Sequence, residues 1–154
     1  NLTLKQPEIS IGKISSVLSD PVRGTNNPKR IPGAVVRYTL SVANAGTAAG
    51  ENSISIKDAL PSRVKALIGV SNIGFNDGLP SSELSFVYDP TDAAGDDIGF
   101  SNDGGVSYSY IPVADGDGAD TSVNHLNFSP KGRFGCSNTG TSTSFSMHYD
   151  VVIK

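Results

Sequence analysis

The sequence predicts an all-β protein, an antiparallel β-sandwich that begins with an extended N-terminal strand segment. In most of the chain apolar residues recur at every second position, a spacing that places them on one face of a strand. Helical spacing occurs only in "PSRVKALIGV", which is as compatible with a strand as with a short helix. Clusters of Gly, Pro, Asn and Asp separate the alternating segments, as expected of turns. One apolar face per strand favours two sheets packed together, and an isolated barrel is the alternative.

Six alternating segments are expected to supply the strands and the core. Their apolar positions are, in chain order, Val36, Tyr38, Leu40 and Val42; Ile54 and Ile56; Leu84, Phe86 and Tyr88; Val106, Tyr108 and Tyr110; Leu126 and Phe128; and Phe145, Met147, Tyr149, Val151 and Ile153. At 154 residues the chain fits one domain. We divide it into an N-terminal extended segment, residues 1–18, and a β-sandwich domain, residues 19–154.

The opening segment, "NLTLKQPEISIG", has strand character but no hairpin partner directly behind it. Leu2 and Leu4 alternate with polar residues, and so do Ile9 and Ile11 beyond the break at Pro7. Such a segment is either the first strand of its own sandwich or a self-assembly strand that joins an open sheet edge of a neighbouring copy. A division at Pro7, with one half on each side, is a third arrangement.

Composition argues against several classes of partner. Only 18% of residues are charged, the net charge is −3, and Lys and Arg are scattered singly, so no basic face for nucleic acid is expected. No apolar run approaches the length of a transmembrane segment. Cys136 is the only cysteine, which excludes an intramolecular disulfide. A small, partly buried thiol is its simplest interpretation, and an intermolecular disulfide or a lipid attachment is the alternative.

The same composition suggests a location outside the cell. Charged residues are few, small hydroxyl residues are many, and the sequence starts without a Met or a signal-like apolar region. We therefore expect an extracellular or cell-surface protein whose secretory signal peptide has been removed.

A set of turn residues carries a resemblance to a known family. In "IPGAVVRYTLSVANAGTAAGENSISIKDALP" these are Pro32-Gly33, Asn44-Ala45-Gly46, and Asp58-Ala59-Leu60-Pro61. The stretch resembles the bacterial conserved-repeat family called domain of unknown function 11, found in secreted and cell-surface proteins. The resemblance is good over residues 20–61 and patchy beyond, and it implies an immunoglobulin-like sandwich without catalytic residues. That family occurs mostly as tandem repeats, whereas this chain holds one copy, and assembly with copies of itself would explain a single module.

The motif residues themselves have structural interpretations. Gly33 can take the positive φ that a turn after Pro32 requires. Asn44 tolerates a left-handed conformation and can bond its own backbone at a strand end, with Gly46 in the small-residue loop that follows. Asp58, in the turn that ends at Pro61, is expected to accept backbone N–H bonds.

Two groups of residues are candidates for a chemical site. Asp115, Asp117 and Asp120 lie in the Gly-rich loop "ADGDGAD" and are a weak calcium candidate; no other cofactor is suggested. His148 shares a strand face with Ser146 and Asp150, but that face is expected to meet solvent, and no nucleophile motif accompanies it. We expect no enzymatic activity.

Two functions follow. The first is a non-enzymatic extracellular structural protein whose copies form a surface or matrix filament, with Leu2, Leu4, Ile9 and Ile11 as the self-assembly strand. The alternative is a single adhesin or envelope module whose Asp- and Gly-rich loops, residues 89–105 and 112–124, bind a glycan, a protein on a host or neighbouring surface, or calcium.

Overall fold

All the regular structure in the computed structural model, which describes residues 5–92, 94–136 and 141–154, is β-strand. No helix long and apolar enough to cross a bilayer occurs in these ranges. The strands are β1 (Ile9–Ser19), β2 (Val35–Asn44), β3 (Ile56–Ala59), β4 (Val64–Leu67), β5 (Ile73–Asp77), β6 (Leu84–Ser85), β7 (Ile98–Ser101), β8 (Ala119–Asp120), β9 (His125–Phe128), β10 (Lys131–Gly132) and β11 (Thr143–Ile153). The all-β prediction is confirmed, and "PSRVKALIGV" contributes strand β4.

The largest sheet contains six strands in the order β1–β2–β11–β4–β8, with β5 also paired to β11. Strand β2 lies antiparallel between β1 and β11, and its ladder with β11 runs from Asn44 opposite Thr143 to Val35 opposite Val152. On its other side β11 pairs first with β5 and then with β4. These central strands are the longest alternating segments of the sequence, since each needs one apolar face along its whole length.

A three-stranded antiparallel sheet, β3–β9–β7, and a short pair, β10–β6, pack with the large sheet around one core. Phe128 of β9 faces Tyr149 of β11 with ring centroids 6.2 Å apart, and Phe134 meets Phe145 edge-on at 5.2 Å. All four side chains are almost fully buried. Antiparallel sheets packed through their apolar faces make the arrangement sandwich-like.

Several predicted strand segments differ from the structure. Residues 106–110 form no strand: Val106 is 85% exposed, and bridge pairing is confined to Ser109 and Tyr110, the latter opposite Phe100. Phe86 and Tyr88 follow the two-residue strand β6. Strand β5 was not predicted, because its alternation contains only two apolar residues, Ile73 and Phe75, before Asp77 ends it. The loop predicted at residues 89–105 contains strand β7, and the loop at 112–124 contains β8.

The connection between β1 and β2 is organised by a buried carboxylate. Asp20 accepts hydrogen bonds from the backbone N–H groups of Val22, Arg23 and Lys29 at 2.6–2.7 Å. These bonds, that from Lys29 first, lower the pKa of Asp20 by favouring its charged form. The connection therefore has a fixed shape up to the start of β2.

Candidate functional site

An apolar groove of about 370 Å³ opens between the edge of the large sheet and the edge of the small one. Its lining residues come from β1, from β2, from β3 and from the segment that leads into β3: Ile9, Ile11, Val42, Ser53, Ile54, Ser55, Ile56 and Lys57. Four isoleucines therefore face a space that other parts of the described chain do not fill. A groove of this kind at a sheet edge is the usual receptor for an extended peptide segment.

The groove exists because β1 extends beyond the cover of the small sheet. Ile9 and Ile11 lie opposite Asn44 and Val42 of β2, so they point to the core side of the large sheet. Yet Ile9 is 46% exposed and Ile11 is 57% exposed, whereas Val42 is 3% exposed. The small sheet ends at β3, which among the described residues pairs only with β9. Ile9 and Ile11 thus form an apolar face of β1 that no strand of the small sheet covers.

The Ile9 and Ile11 half of the predicted self-assembly strand pairs within its own chain in this structure. Strand β1 forms a continuous ladder with β2 from Ile9 opposite Asn44 to Val17 opposite Val36. Leu2 and Leu4, the other half, lie outside the described residues. The structure therefore places Ile9 and Ile11 in the wall of a groove, and their donation to a neighbour stays a prediction.

Residues 6–8 continue the line of β1 along the loop that follows β2. The Gln6 carbonyl accepts a bond from Thr47 N at 3.0 Å, and the Glu8 carbonyl accepts one from Ala45 N at 2.9 Å. Gly46 lets these backbones approach, because a Cβ there would overlap the Gln6 oxygen and lie 2.5 Å from Glu8 N. The chain is thereby held in a direction that leads past the end of the sheet.

The side chain of Asn44, at the end of β2, joins Glu8, the loop after β2 and Gly135 through hydrogen bonds. Its fully buried side-chain oxygen accepts bonds from the backbone N–H of Glu8 at 3.1 Å and of Gly46 at 3.0 Å. Its amide nitrogen donates to the carbonyls of Thr47 at 2.8 Å and Gly135 at 3.1 Å. The predicted local backbone bond is present, but Asn44 is an extended strand residue and does not take the left-handed conformation that its type allows.

Two other motif residues, Gly33 and Pro61, belong to turns. Gly33 has a φ of 83°, and a Cβ there would lie 2.7 Å from Pro21, so the turn after Pro32 requires glycine. Pro61 begins the turn into β4, where its carbonyl accepts a bond from Val64 N at 3.3 Å.

The expectation that Asp58 caps its turn through backbone N–H groups is wrong. Its carboxylate accepts from Lys13 Nζ at 2.7–2.8 Å and from the Tyr149 hydroxyl at 2.8 Å, and so does not cap the turn through backbone N–H groups. The Lys13 ammonium also lies 4.7 Å from the centre of the Tyr38 ring. Burial of Tyr149, followed by the charge of Asp58, raises the pKa of its hydroxyl. This network joins the two sheet edges below the groove.

The calcium candidate is arranged differently from what the sequence suggested. Lys65 Nζ lies between two of its carboxylates, 2.9 Å from Asp115 and 3.2 Å from Asp117. The third, on Asp120, turns inward and accepts from the Tyr110 hydroxyl and from the backbone N–H groups of Val113 and Ser122. In residues 5–92, 94–136 and 141–154 no group of three acidic, His or Cys side chains is placed to hold a metal ion.

The polar face of β11 is less exposed than predicted. Asp150 is 2% exposed and forms a two-point ion pair with Arg37, at 2.8 and 2.9 Å. His148 is half-buried against Gly74 of β5, and burial, followed by the charge of Arg37, lowers its pKa. The expectation of a solvent-facing strand face is wrong here, because β5 and the Ser71–Asn72 turn cover it.

Sequence reasoning missed Lys13 as a functional residue. It occupies an inward position of β1 between Ile11 and Val17, where the alternating pattern requires an apolar side chain. A charge at such a position is a signal of a buried partner on the facing sheet.

Comparisons with protein-family models, with curated proteins and with solved structures found no match to this chain. The resemblance to the conserved-repeat family therefore stays a prediction based on the turn residues of the sequence.

Proposed function

We propose that this protein is a non-enzymatic structural subunit that assembles head to tail with copies of itself, outside the cell or on its surface. The observation that carries the proposal is the groove between β1 and β3. It is apolar, it lies along an open sheet edge, and its walls include two isoleucines of β1 that are about half exposed. Leaving such side chains in water is unfavourable, and covering them is favourable by roughly 25 cal/mol per Å².

The occupant we propose is residues 1–4 of a second copy. Leu2 and Leu4 are two positions apart, so in an extended strand their side chains lie on one face about 6.6 Å apart. Ile9 and Ile11, and likewise Ile54 and Ile56, have the same spacing on the two groove walls. Backbone bonds to the open edge would supply affinity, and the leucines would fill the apolar space. The split at Pro7 is thus the arrangement that we favour.

The direction of the N-terminal segment supports donation to a neighbour. Residues 6–8 are bonded to the loop at Ala45 and Thr47 and lead past the end of the sheet. The groove lies alongside β1, on the C-terminal side of residues 6–8. Residues 1–4 would therefore have to reverse direction at once to reach the groove of their own chain.

Joining a donor segment to a groove elsewhere on the next copy gives a heterologous contact. Where its rotation does not close a ring, such a contact repeats from copy to copy and builds a fibre. The immunoglobulin-like topology and the surface location belong to the same proposal. They are supported by the sandwich-like packing and by the composition of the chain.

Deleting residues 1–4 tests the donor. The deletion leaves Gln6, Glu8 and the whole of β1 in place, so we expect a folded monomer with the melting temperature of the unassembled parent. Negative-stain microscopy should show filaments for the full chain and none for the deletion. Filaments formed by the deleted chain would exclude residues 1–4 as the donor.

Lysine substitutions at two isoleucines of β1 test the groove, one inside it and one outside it as the control. Ile11→Lys places a charge in the groove and should abolish assembly, whereas Ile14→Lys, on the opposite face of the same strand and 70% exposed, should permit it. Mixing the Ile11→Lys variant, which keeps its donor, with the deleted chain, which keeps its groove, should give one-to-one dimers. Equal disruption by both lysines, or a mixture that stays monomeric, would contradict the proposal.

A single binding module of an adhesin or envelope protein is the second candidate. The observation that favours it is a separate, larger cleft lined by tyrosines and aspartates. The full chain dispersed as monomers in the microscope would favour this alternative.

A further inference from the structure

A second cleft, with a volume of about 430 Å³, lies away from the groove, on the far edge of the small sheet. Its floor is made by Ile68, Ile98 and Phe100, which are buried core residues. Three tyrosines and two aspartates form the walls and rim: Tyr88, Tyr108, Tyr110, Asp89 and Asp96. Its size is that of a site for a small organic molecule.

The cleft is formed by backbone contacts on both sides of β7. Tyr110 N donates to the Phe100 carbonyl at 3.1 Å, which attaches the segment of residues 108–112 to this strand. Gly99 permits the approach, since a Cβ there would lie 2.7 Å from the Tyr108 carbonyl oxygen. On the other side Asp97 N donates to the Val87 carbonyl at 2.8 Å. Both walls are therefore attached to one strand.

Two of the tyrosine rings are fixed through their hydroxyl groups. Tyr88 donates to the Ile68 carbonyl at 2.6 Å, and Tyr110 donates to the Asp120 carboxylate at 2.9 Å. The third ring, of Tyr108, already lies 5.1 Å from the ammonium of Lys57, which is not a lining residue of the cleft. Rings held in this way offer fixed π faces, and such faces attract cations.

The charged residues that line the cleft itself, Asp89 and Asp96, are both acidic. No Lys, Arg or His lines the cleft, and within the part of the chain that the structure describes neither Asp89 nor Asp96 has a cationic group within 4.0 Å. Burial raises the pKa of Asp96, and the charges of Asp89, Asp92 and Asp97 raise it further. A cation bound here would reduce the repulsion between Asp96 and these neighbouring carboxylates.

We propose that this cleft binds an organic ammonium group, with the charge at the Asp89 and Asp96 carboxylates and the carbon skeleton against the tyrosine rings. A primary amine on a sugar, on a polyamine or on a lysine side chain would supply this chemistry. A small inorganic cation would leave the aromatic walls unfilled, and a neutral sugar would leave the carboxylates uncompensated. The site is separate from the assembly groove and does not depend on it.

A matched pair of sugars provides the test. Titration calorimetry of the full chain with glucosamine and with N-acetylglucosamine compares a cationic ring with a neutral one of the same skeleton. We expect glucosamine to bind at least about tenfold more tightly, with an affinity that falls as salt is added. Spermidine and n-butylamine, as further probes, distinguish a sugar-specific site from one that accepts any amine.

Two charge-neutralising variants locate the effect. Asp96→Asn keeps an oxygen to accept the Asp89 N–H bond but removes the charge, so binding should weaken about tenfold while the melting temperature holds. Asp117→Asn removes one charge elsewhere on the surface and should leave binding unchanged. Equal affinity for the neutral sugar, equal effects of the two variants, binding of calcium alone, or no binding of any amine at millimolar concentration would each overturn the proposal.

Discussion

The ammonium of Lys13 lies 2.7 Å from the carboxylate of Asp58, and this contact joins the outermost strand of the large sheet to the outermost strand of the small one. The pair is partly shielded, with Lys13 34% and Asp58 15% exposed. Tyr149 donates to the same carboxylate from the core side, and the Tyr38 ring lies beside the ammonium. The two sheet edges thus have a fixed separation just below the groove.

Replacing Lys13 with Met should destabilise the protein by about 1–2 kcal/mol, because the Asp58 carboxylate, only 15% exposed, would lose its cationic partner. Urea unfolding of Lys13→Met, of Asp58→Asn and of the double variant gives the coupling between them. Lys131→Met is the control, since its ammonium is 55% exposed and 3.9 Å from Asp97, and we expect less than about 0.5 kcal/mol. If the losses in the free energy of unfolding of the two single variants add up to the loss in the double variant, the Lys13–Asp58 contact does not contribute to stability.

Asn44→Ala should cost about 2–4 kcal/mol. The substitution removes two acceptor and two donor bonds from a fully buried site. It leaves the N–H groups of Glu8 and Gly46 and the Thr47 carbonyl without this partner, whereas the Gly135 carbonyl keeps its bond from the Thr143 hydroxyl. Asn76→Ala, at an exposed position of β5, should change stability little. Similar midpoints in thermal unfolding for the two variants would mean that water replaces the lost bonds at Asn44.

Gly46→Ala should release the segment before β1. The added Cβ overlaps the Gln6 carbonyl oxygen, and because that atom belongs to the backbone, residues 6–8 must move away. Limited proteolysis should then cut the N-terminal segment at least several times faster than in the parent chain. Gly116→Ala is the control, as a Cβ there meets nothing within 4 Å. Equal cleavage rates would show that residues 6–8 are not held by this contact.

Stability should decrease as the pH falls from about 7.5 to about 5, and His148 should account for part of the change. Its pKa in the folded state lies below the ordinary value of 6.5, because burial disfavours the charged ring. In this window the unfolded chain therefore binds more protons than the folded one. The free energy of unfolding decreases as the pH decreases. His148→Gln should flatten the dependence measured by urea unfolding. The same slope in both proteins would assign it to another group.

The central strands could be predicted because their environment is uniform. Strands β2 and β11 have one core face along their whole length, so every second residue must be apolar. The alternation of Val106, Tyr108 and Tyr110 has a different cause: the tyrosines line a cleft and Val106 faces solvent. A period of two in the sequence does not distinguish these environments.

The candidate sites were predicted less well because they depend on residues far apart in sequence. The alternation of Ile9 and Ile11 indicates a face, but it does not indicate that the layer opposite ends at β3. Lys65, 50 residues before Asp115, converts a loop with calcium-like composition into an ion-paired turn. Asp58 is likewise directed to Lys13 and Tyr149 by the meeting of the sheets. Local motifs carry no information about such partners.

The position of β2 between β1 and β11 also sets the order in which the molecule can fold. Arg37 and Asp150, which form an ion pair across β2 and β11, are 113 residues apart along the chain. Closing so long a loop is entropically costly, and folds dominated by such contacts form slowly, in milliseconds to seconds. Until β11 arrives, β1 and β2 form an isolated ribbon whose apolar face is uncovered. During that interval the folding chain would be most exposed to premature association with its neighbours.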